Sequence, residues 1–212
     1  MRKIFGHRGL PHSYEENTFK SLNKAQEICD FVETDVRITK DKELVLYHDT
    51  EIQTQKIEEL SLSDIEELID FEISEIHLIS RKHIKGNTNF ELKISSKDDD
   101  LNKVFLEKII NLTNPEDIVS SFDWEIILNN RESFKSKYGI LIDKENQLFE
   151  SKAMSNLDEK LMFMVEKEIF YSRNFDLPLE RCVVWTVNDK GEINSVLNMN
   201  VYGVVTDIGD KL

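Results

Sequence analysis

The chain has 212 residues, enough for one sizeable core, and is expected to form one domain over residues 1–212. Forty per cent of the residues are apolar and 32% are charged, the composition of an ordinary globular protein. The net charge of −14 argues against nucleic acid as a partner and against stable anchoring on an anionic membrane; it leaves an anionic substrate open, because a metal ion and a few cations reverse the sign inside a cleft.

In chain order, Lys3–Gly6 reads as a short apolar strand that ends in His7-Arg8-Gly9. Ser13 and Glu16 have capping-box spacing ahead of a helix over Thr18–Ile28, which carries Phe19, Leu22, Ala25 and Gln26 on one face. Phe31–Arg37 is a strand interrupted by Glu33 and Asp35, and Glu43–Tyr47 is a strand ending in His48-Asp49. Ile38 to Lys42 is too short to hold a helix, so those two strands are separated by hairpin-length sequence. A helix is expected over Ser61–Ile69, with Ser63 and Glu66 as its capping box. The stretch Ile73–Ile84 fits a short buried helix or strand better than a membrane-touching loop. Asn89–Ile94 is a strand carrying Glu91 and Lys93, and a polar loop with Asp99 or Asp100 as N-cap leads into a helix over Leu101–Leu112.

Strand Asp117–Ser121, helix Trp124–Phe134 and strand Tyr138–Ile142 follow. A stretch within Leu157–Asn174 is read as helix, with Leu161–Val165 open to a strand reading. Strand Cys182–Val187, helix Lys190–Met199 and strand Gly203–Thr206 close the chain. Eight strands with mostly helical connections, several of them continuous apolar runs, point to an α/β fold: a compact (β/α)₈ TIM barrel of parallel strands with outer helices. A doubly wound sheet is the alternative, but no Gly-x-Gly-x-x-Gly marks a nucleotide site. Cys29 and Cys182 are expected to be buried free thiols. The first residues hold no apolar run of signal-peptide length and no stretch reaches membrane-spanning length, so a cytoplasmic location is expected.

The strand-end clusters carry the chemistry. Ionisable groups in buried strands are costly unless paired, metal-bound or used. Residues two apart on a strand share a face about 7 Å apart, so Glu33 pairs with Asp35 and Glu91 with Lys93. In a barrel, inward residues near the C-terminal strand ends face the active site. Glu33, Asp35 and Glu91 then converge and repel one another, which a hard divalent cation relieves; all-oxygen ligands favour Mg²⁺ or Ca²⁺ over zinc. Two histidines, His7 and His48, can divide acid and base roles, and Arg8 and Lys93 can neutralise oxyanion charge. The set suits phosphodiester cleavage.

Eight short motifs, in order from residue 7 to 207, resemble the glycerophosphodiester phosphodiesterase family: His7-Arg8-Gly9, Glu16-Asn17-Thr18, Glu33-Thr34-Asp35-Val36, Val45-Leu46-Tyr47-His48-Asp49, Glu91-Leu92-Lys93, Ser120-Ser121-Phe122-Asp123, Trp185-Thr186-Val187-Asn188 and Val204-Val205-Thr206-Asp207. The resemblance implies a TIM barrel with a divalent metal held by Glu33, Asp35 and Glu91. It implies His7 and His48 as the acid/base pair, Arg8 and Lys93 as phosphate contacts, and Trp185 as a wall of the cleft. A glycerol hydroxyl would attack phosphorus, and the resulting cyclic phosphate would be hydrolysed to glycerol 3-phosphate. Glu15 stands where the family often has proline, and the arginine-threonine run after His-Asp is replaced by Thr50-Glu51-Ile52-Gln53. The alcohol end of the substrate, the choice of Mg²⁺ or Ca²⁺ and the oligomeric state therefore stay open. A lysophospholipase D or sphingomyelinase D-like enzyme acting on acylated lipids, and a non-catalytic binding barrel, are the alternatives.

Overall fold

The computed structural model describes residues 2–69, 79 and 81–212. Along the chain run β1 (Lys3–Gly6), α1 (Phe19–Ala25), β2 (Phe31–Ile38), β3 (Leu44–Leu46), β4 (Glu51–Ile52), β5 (Gln55–Lys56), α2 (Leu62–Leu68), β6 (Thr88–Leu92) and α3 (Asp99–Leu112). They are followed by β7 (Ile118–Ser121), α4 (Trp124–Asn129), β8 (Lys137–Ile142), α5 (Gln147–Met154), β9 (Leu161–Glu166), α6 (Lys167–Phe170), β10 (Cys182–Trp185), α7 (Lys190–Asn198) and β11 (Gly203–Thr206). The strands β1, β2, β6, β7, β8, β9, β10 and β11 pair in parallel in that order, and β11 returns to β1, closing the barrel. This is the expected TIM barrel.

Each barrel strand is buried on both faces, and the two faces do different work. Outward residues such as Val32, Val36, Phe90, Val119, Val184 and Val204 pack under the helices in one large core. Inward residues Phe5, Phe31, Ile118, Leu141, Met162, Met164, Val183 and Val205 form a second cluster that plugs the barrel. Phe5 stacks on Phe31 with ring centroids 4.5 Å apart. At the two-residue strand period, the next inward positions after Phe5 and Phe31 are His7 and Glu33. The polar site therefore sits directly on an apolar plug.

Two strand assignments change. Glu43–Tyr47 does not supply a barrel strand: β3 runs antiparallel on the outer edge of β2, with Val36 opposite Leu46 and Ile38 opposite Leu44. The reason is the short connection, since a parallel crossover needs a dozen or more residues. The eighth barrel strand is instead β9, within the stretch read as helix. Leu161-Met162-Phe163-Met164-Val165 is apolar on both faces, so no two-residue alternation betrays it. Helix α5 was not expected at all; its buried positions are Leu148 and Ser151, while Phe149 is exposed, so its apolar residues do not mark one face.

Helix caps moved by a few residues. The box that starts α2 is Ser61 with Asp64, not Ser63 with Glu66: Asp64 N donates to Ser61 Oγ at 3.2 Å, and Ser61 N donates to Asp64 Oδ2 at 2.8 Å. Asp98, not Asp99 or Asp100, caps α3 by accepting from Asp100 N and Leu101 N. No capping box forms at Ser13 and Glu16; Thr18 caps α1, Ser13 Oγ donates to Asp210, and Glu16 turns to Arg8. Of the apolar stretch Ile73–Ile84, residues 73–78 and 80 lie outside the described residues; Ile79 packs on the core and Ile84 is buried. Among the described residues no helix is long and apolar enough to cross a membrane. Both cysteines are free and buried, and burial pushes the Cys29 thiol up to about 11 and the Cys182 thiol upward as well.

Candidate active site

The site is assembled at the C-terminal strand ends. Glu33 and Asp35 come from β2 and Glu91 from the adjacent β6, where Asp35 is in register with Glu91. One carboxylate oxygen from each lies within 4.8 Å of the others, and all three side chains are buried. Burial, reinforced by Asp35 and Glu91, pushes the Glu33 carboxyl up to about 8. Burial also raises Glu91, against the pull of Lys93. Burial works the same way on Asp35, but Lys93 and Arg8 outweigh it and hold that carboxyl below the usual range. Lys93 Nζ stands 3.1 Å from Asp35 Oδ1 and also pairs with Glu91 Oε1.

Local backbone geometry aims the first cluster. Gly9 has φ of +91°, and a Cβ there would come within 2.3 Å of Ser21 Oγ on α1, so only glycine fits. Arg8 itself is left-handed at φ 50°. The turn delivers Arg8 N to Glu33 Oε2 at 3.0 Å, Arg8 Nε to Asp35 Oδ2 at 3.1 Å, and an Arg8 terminal nitrogen to Glu16 Oε1 at 2.8 Å. His7 Nε2 lies 3.9 Å from Glu33 Oε2, while Nδ1 meets Asp207 Oδ1 at 2.6 Å. A carboxylate only accepts, so Nδ1 carries the hydrogen and Nε2 faces the acidic cluster. Burial lowers the His7 pKa, but the bond to Asp207 and the charge of Glu33 more than offset it and leave it raised.

His48 reaches the site from the end of β3. Its Nδ1 meets Asp49 Oδ1 at 2.8 Å. Its main-chain oxygen accepts from Arg37, which also donates to the main-chain oxygen of Lys93, so the His48 peptide lies across one guanidinium from that of Lys93. Trp185 ends β10 and, with His7, Glu33, Asn89 and Glu91, lines a cavity of about 20 Å³. Phe122 stands edge-on to Trp185 at 5.9 Å and under Lys93 Nζ at 5.7 Å. All eight residues singled out in the sequence (His7, Arg8, Glu33, Asp35, His48, Glu91, Lys93 and Trp185) are thus gathered at one end of the barrel.

Three supporting residues had appeared in the motifs without a role. Asn17, left-handed at φ 56°, accepts from Asp35 N at 3.0 Å and from Thr34 Oγ1 at 2.8 Å, and donates to Asp35 Oδ2 at 2.9 Å. Asp207 is locked by Asn188, whose Nδ2 donates to Oδ2 at 2.5 Å and whose Oδ1 accepts from Asp207 N at 2.8 Å. The available signal was an asparagine or aspartate just beyond a strand or just before a helix, too common a pattern to single out.

The family model for the glycerophosphoryl diester phosphodiesterase family matches residues 7–175. The chain belongs to that family. It is 27% identical to the Thermotoga maritima glycerophosphodiester phosphodiesterase, whose crystal structure matches with a TM-score of 0.75 over 99% of this chain and 96% of that one. An Oleispira antarctica phosphodiesterase, solved in complex with the product sn-glycerol-3-phosphate, shares the fold at 17% identity, with a TM-score of 0.76 over 100% of this chain and 95% of that one. A Caenorhabditis elegans protein described in its name as a glycerophosphocholine phosphodiesterase homologue is 49% identical over 51 residues, 21% of this chain and 7% of the curated relative's length. The Thermotoga and Oleispira chains are about as long as this member of the glycerophosphodiester phosphodiesterase family, whereas the match spans only 7% of the nematode protein's length.

The acidic cluster can hold a metal ion. Glu33 Oε1 is buried with no hydrogen-bond partner among the described residues, an acceptor that a cation would satisfy. The donor set is all oxygen, as hard divalent ions require.

Proposed function

We propose that residues 1–212 act as one phosphodiesterase barrel domain that hydrolyses glycerophosphodiesters to glycerol 3-phosphate and an alcohol, with Mg²⁺ or Ca²⁺ as cofactor. One observation carries the reading: three buried carboxylates converge within 4.8 Å, flanked by imidazoles and cations. Family membership supports the reaction class.

In this reading Glu33, Asp35 and Glu91 hold the ion, which when bound supplies Lewis-acid polarisation of a phosphoryl oxygen. Arg8 and Lys93 sit against the same carboxylates and meet the charge that builds on the phosphoryl group. One of His7 and His48 takes the proton from the glycerol hydroxyl as its oxygen attacks phosphorus. The other gives a proton to the departing alkoxide as the phosphorus–oxygen bond breaks. The two exchange roles when water opens the cyclic phosphate. Trp185 and Phe122 form an aromatic wall beside the phosphate position. Positioning the hydroxyl against phosphorus provides most of the acceleration. Two free, buried thiols suit the cytoplasm as the working compartment.

The test is incubation with glycerophosphocholine and glycerophosphoethanolamine, with Mg²⁺, Ca²⁺ or chelator. Metal-dependent release of glycerol 3-phosphate is expected from at least one. No release from either refutes the reading. A lysophosphatidylcholine arm addresses acylated substrates; turnover there but not on the soluble diesters would move the activity to lipids.

A further inference from the structure

Arg37 is a buried cation that the chemistry above leaves unused. It follows Glu33 and Asp35 on β2 at the same two-residue period, so it stands on their face of the strand, one step nearer the rim. It is 6% exposed. Its five N–H donors are all engaged, and none of the five goes to a carboxylate. Nε and one terminal nitrogen donate to the main-chain oxygen of His48 at 3.1 and 2.6 Å. The same terminal nitrogen donates to Thr50 Oγ1 at 3.3 Å. The other donates to the main-chain oxygen of Lys93 and to Ser95 Oγ, both at 3.3 Å.

A buried charge whose hydrogen bonds all go to backbone carbonyls and hydroxyls is an expensive way to stabilise a fold, because the carboxylates around it, Asp35 and Glu58 foremost, offset its desolvation only in part. What the arrangement does is geometric. His48 does not sit on a barrel strand. It follows β3, a three-residue edge strand, and the last main-chain bond from that strand to β2 is Tyr47 N to Asp35 O at 3.2 Å. Beyond it, among the described residues, β4 and β5 pair only with each other. The sheet therefore ends one residue before the imidazole. The guanidinium fork bridges that gap, tying the His48 peptide to the Lys93 peptide through one rigid plane.

We propose that Arg37 is a positioning residue for the reaction: it fixes the main chain of His48 against that of Lys93, so that imidazole and ammonium face the acidic cluster at a set separation. This rests on the reading of His48 as an acid/base group. A fork with five fixed donors is required; a lysine ammonium has three donors at one point and cannot span both carbonyls.

The experiment is a double-mutant cycle with a spectroscopic arm. Arg37→Gln and Arg37→Lys are each made alone and in the His48→Ala background, and kcat and KM are measured on glycerophosphocholine. Alone, each is expected to lose on the order of 10²-fold in kcat with little change in KM, the scale of a misplacement near 1 Å. In the His48→Ala background the further loss is expected to disappear, since the group being placed is gone. An equal loss in both backgrounds overturns the proposal. Arg37→Lys keeps the charge and decides the question if Arg37→Gln does not fold.

Independently of turnover, the His48 ring resonances in a histidine-labelled sample are expected to shift and broaden in the Arg37 variants, while those of His7 stay put. Unmoved His48 resonances overturn the clamp even if the wild-type protein is active. A wild-type protein without glycerophosphodiesterase activity defeats the functional reading instead, and the resonance arm still judges the clamp.

Discussion

The two imidazoles of the site rest on unlike supports. His7 leaves β1, a barrel strand bonded on one side to β11 and on the other to β2. Its main-chain N donates to Thr206 O at 2.9 Å, and its ring is gripped by Asp207, which Asn188 grips in turn. His48 leaves a short antiparallel strand at the sheet's outer edge, and its ring partner Asp49 is the next residue, with a side chain 70% exposed. One imidazole follows a strand of the closed sheet; the peptide of the other accepts from the Arg37 side chain of the neighbouring strand. On the proposed reading, a barrel recruits a group from outside its eight strands through a buried polar side chain that extends the sheet's reach.

The largest expected effect removes what both sides share. The Glu33→Gln/Asp35→Asn double variant is expected to abolish both divalent-ion binding, read by calorimetry, and turnover; retained ion binding would disconnect the cluster from the metal. Next, His7→Ala and His48→Ala are each expected to lose about 10²- to 10⁴-fold in kcat. A small loss at one of them would break the symmetry of role that the comparison assumes. Third, the ring partners are expected to separate the two sides. Asp207→Asn removes a half-buried orienting carboxylate and is expected to cost about 10- to 100-fold in kcat. Asp49→Asn removes a solvated one and is expected to cost less; the reverse order in steady-state kinetics would show that the edge side depends more on its local aspartate than on main-chain placement.

Two milder effects follow. Because burial lifts the Glu33 carboxyl from an ordinary 4.5 to about 8, the folded metal-free protein holds that proton more tightly than the unfolded chain. The stability it contributes is whole below about pH 4.5 and is lost as pH rises through about 8. Metal-free melting temperature is therefore expected to fall between pH 5 and 8 relative to Glu33→Gln, and added Mg²⁺ or Ca²⁺ to raise it more at pH 8 than at pH 6. Parallel melting profiles for the two proteins would contradict this. Smallest of all, amides of β3 are expected to exchange with solvent before those of β1, because an edge strand of three residues opens with less disruption than a strand paired on both sides. Hydrogen exchange by mass spectrometry, peptide by peptide, reads the order directly.

Much of the site was legible because its residues break a local rule. Glu33 and Asp35 inside Phe31–Arg37, and Glu91 and Lys93 inside Asn89–Ile94, put charge where a strand should be apolar, and the two-residue period alone puts each pair on one face. Arg37 obeys the same period, yet it ends its strand, where an exposed arginine is ordinary; only its burial separates it from a surface charge. Asp207 and Asn188 were hidden for a similar reason, since their pairing joins loops 19 residues apart.

Strand identity was the other point of failure. Glu43–Tyr47 and Leu161–Val165 are both short apolar runs, and nothing in either says which one completes the barrel. Chain geometry decides it. A five-residue connection turns Glu43–Tyr47 back along β2, while the space left between β8 and β10 accepts β9. What the amino-acid sequence determined by itself was the alternation of elements and the identity of the charged residues, because periodicity and misplaced charge are local properties of a chain. What only the tertiary structure decided was which strand closes the sheet, which carboxylate holds which imidazole and which cation is buried, because closure, pairing and desolvation depend on residues that meet across the fold.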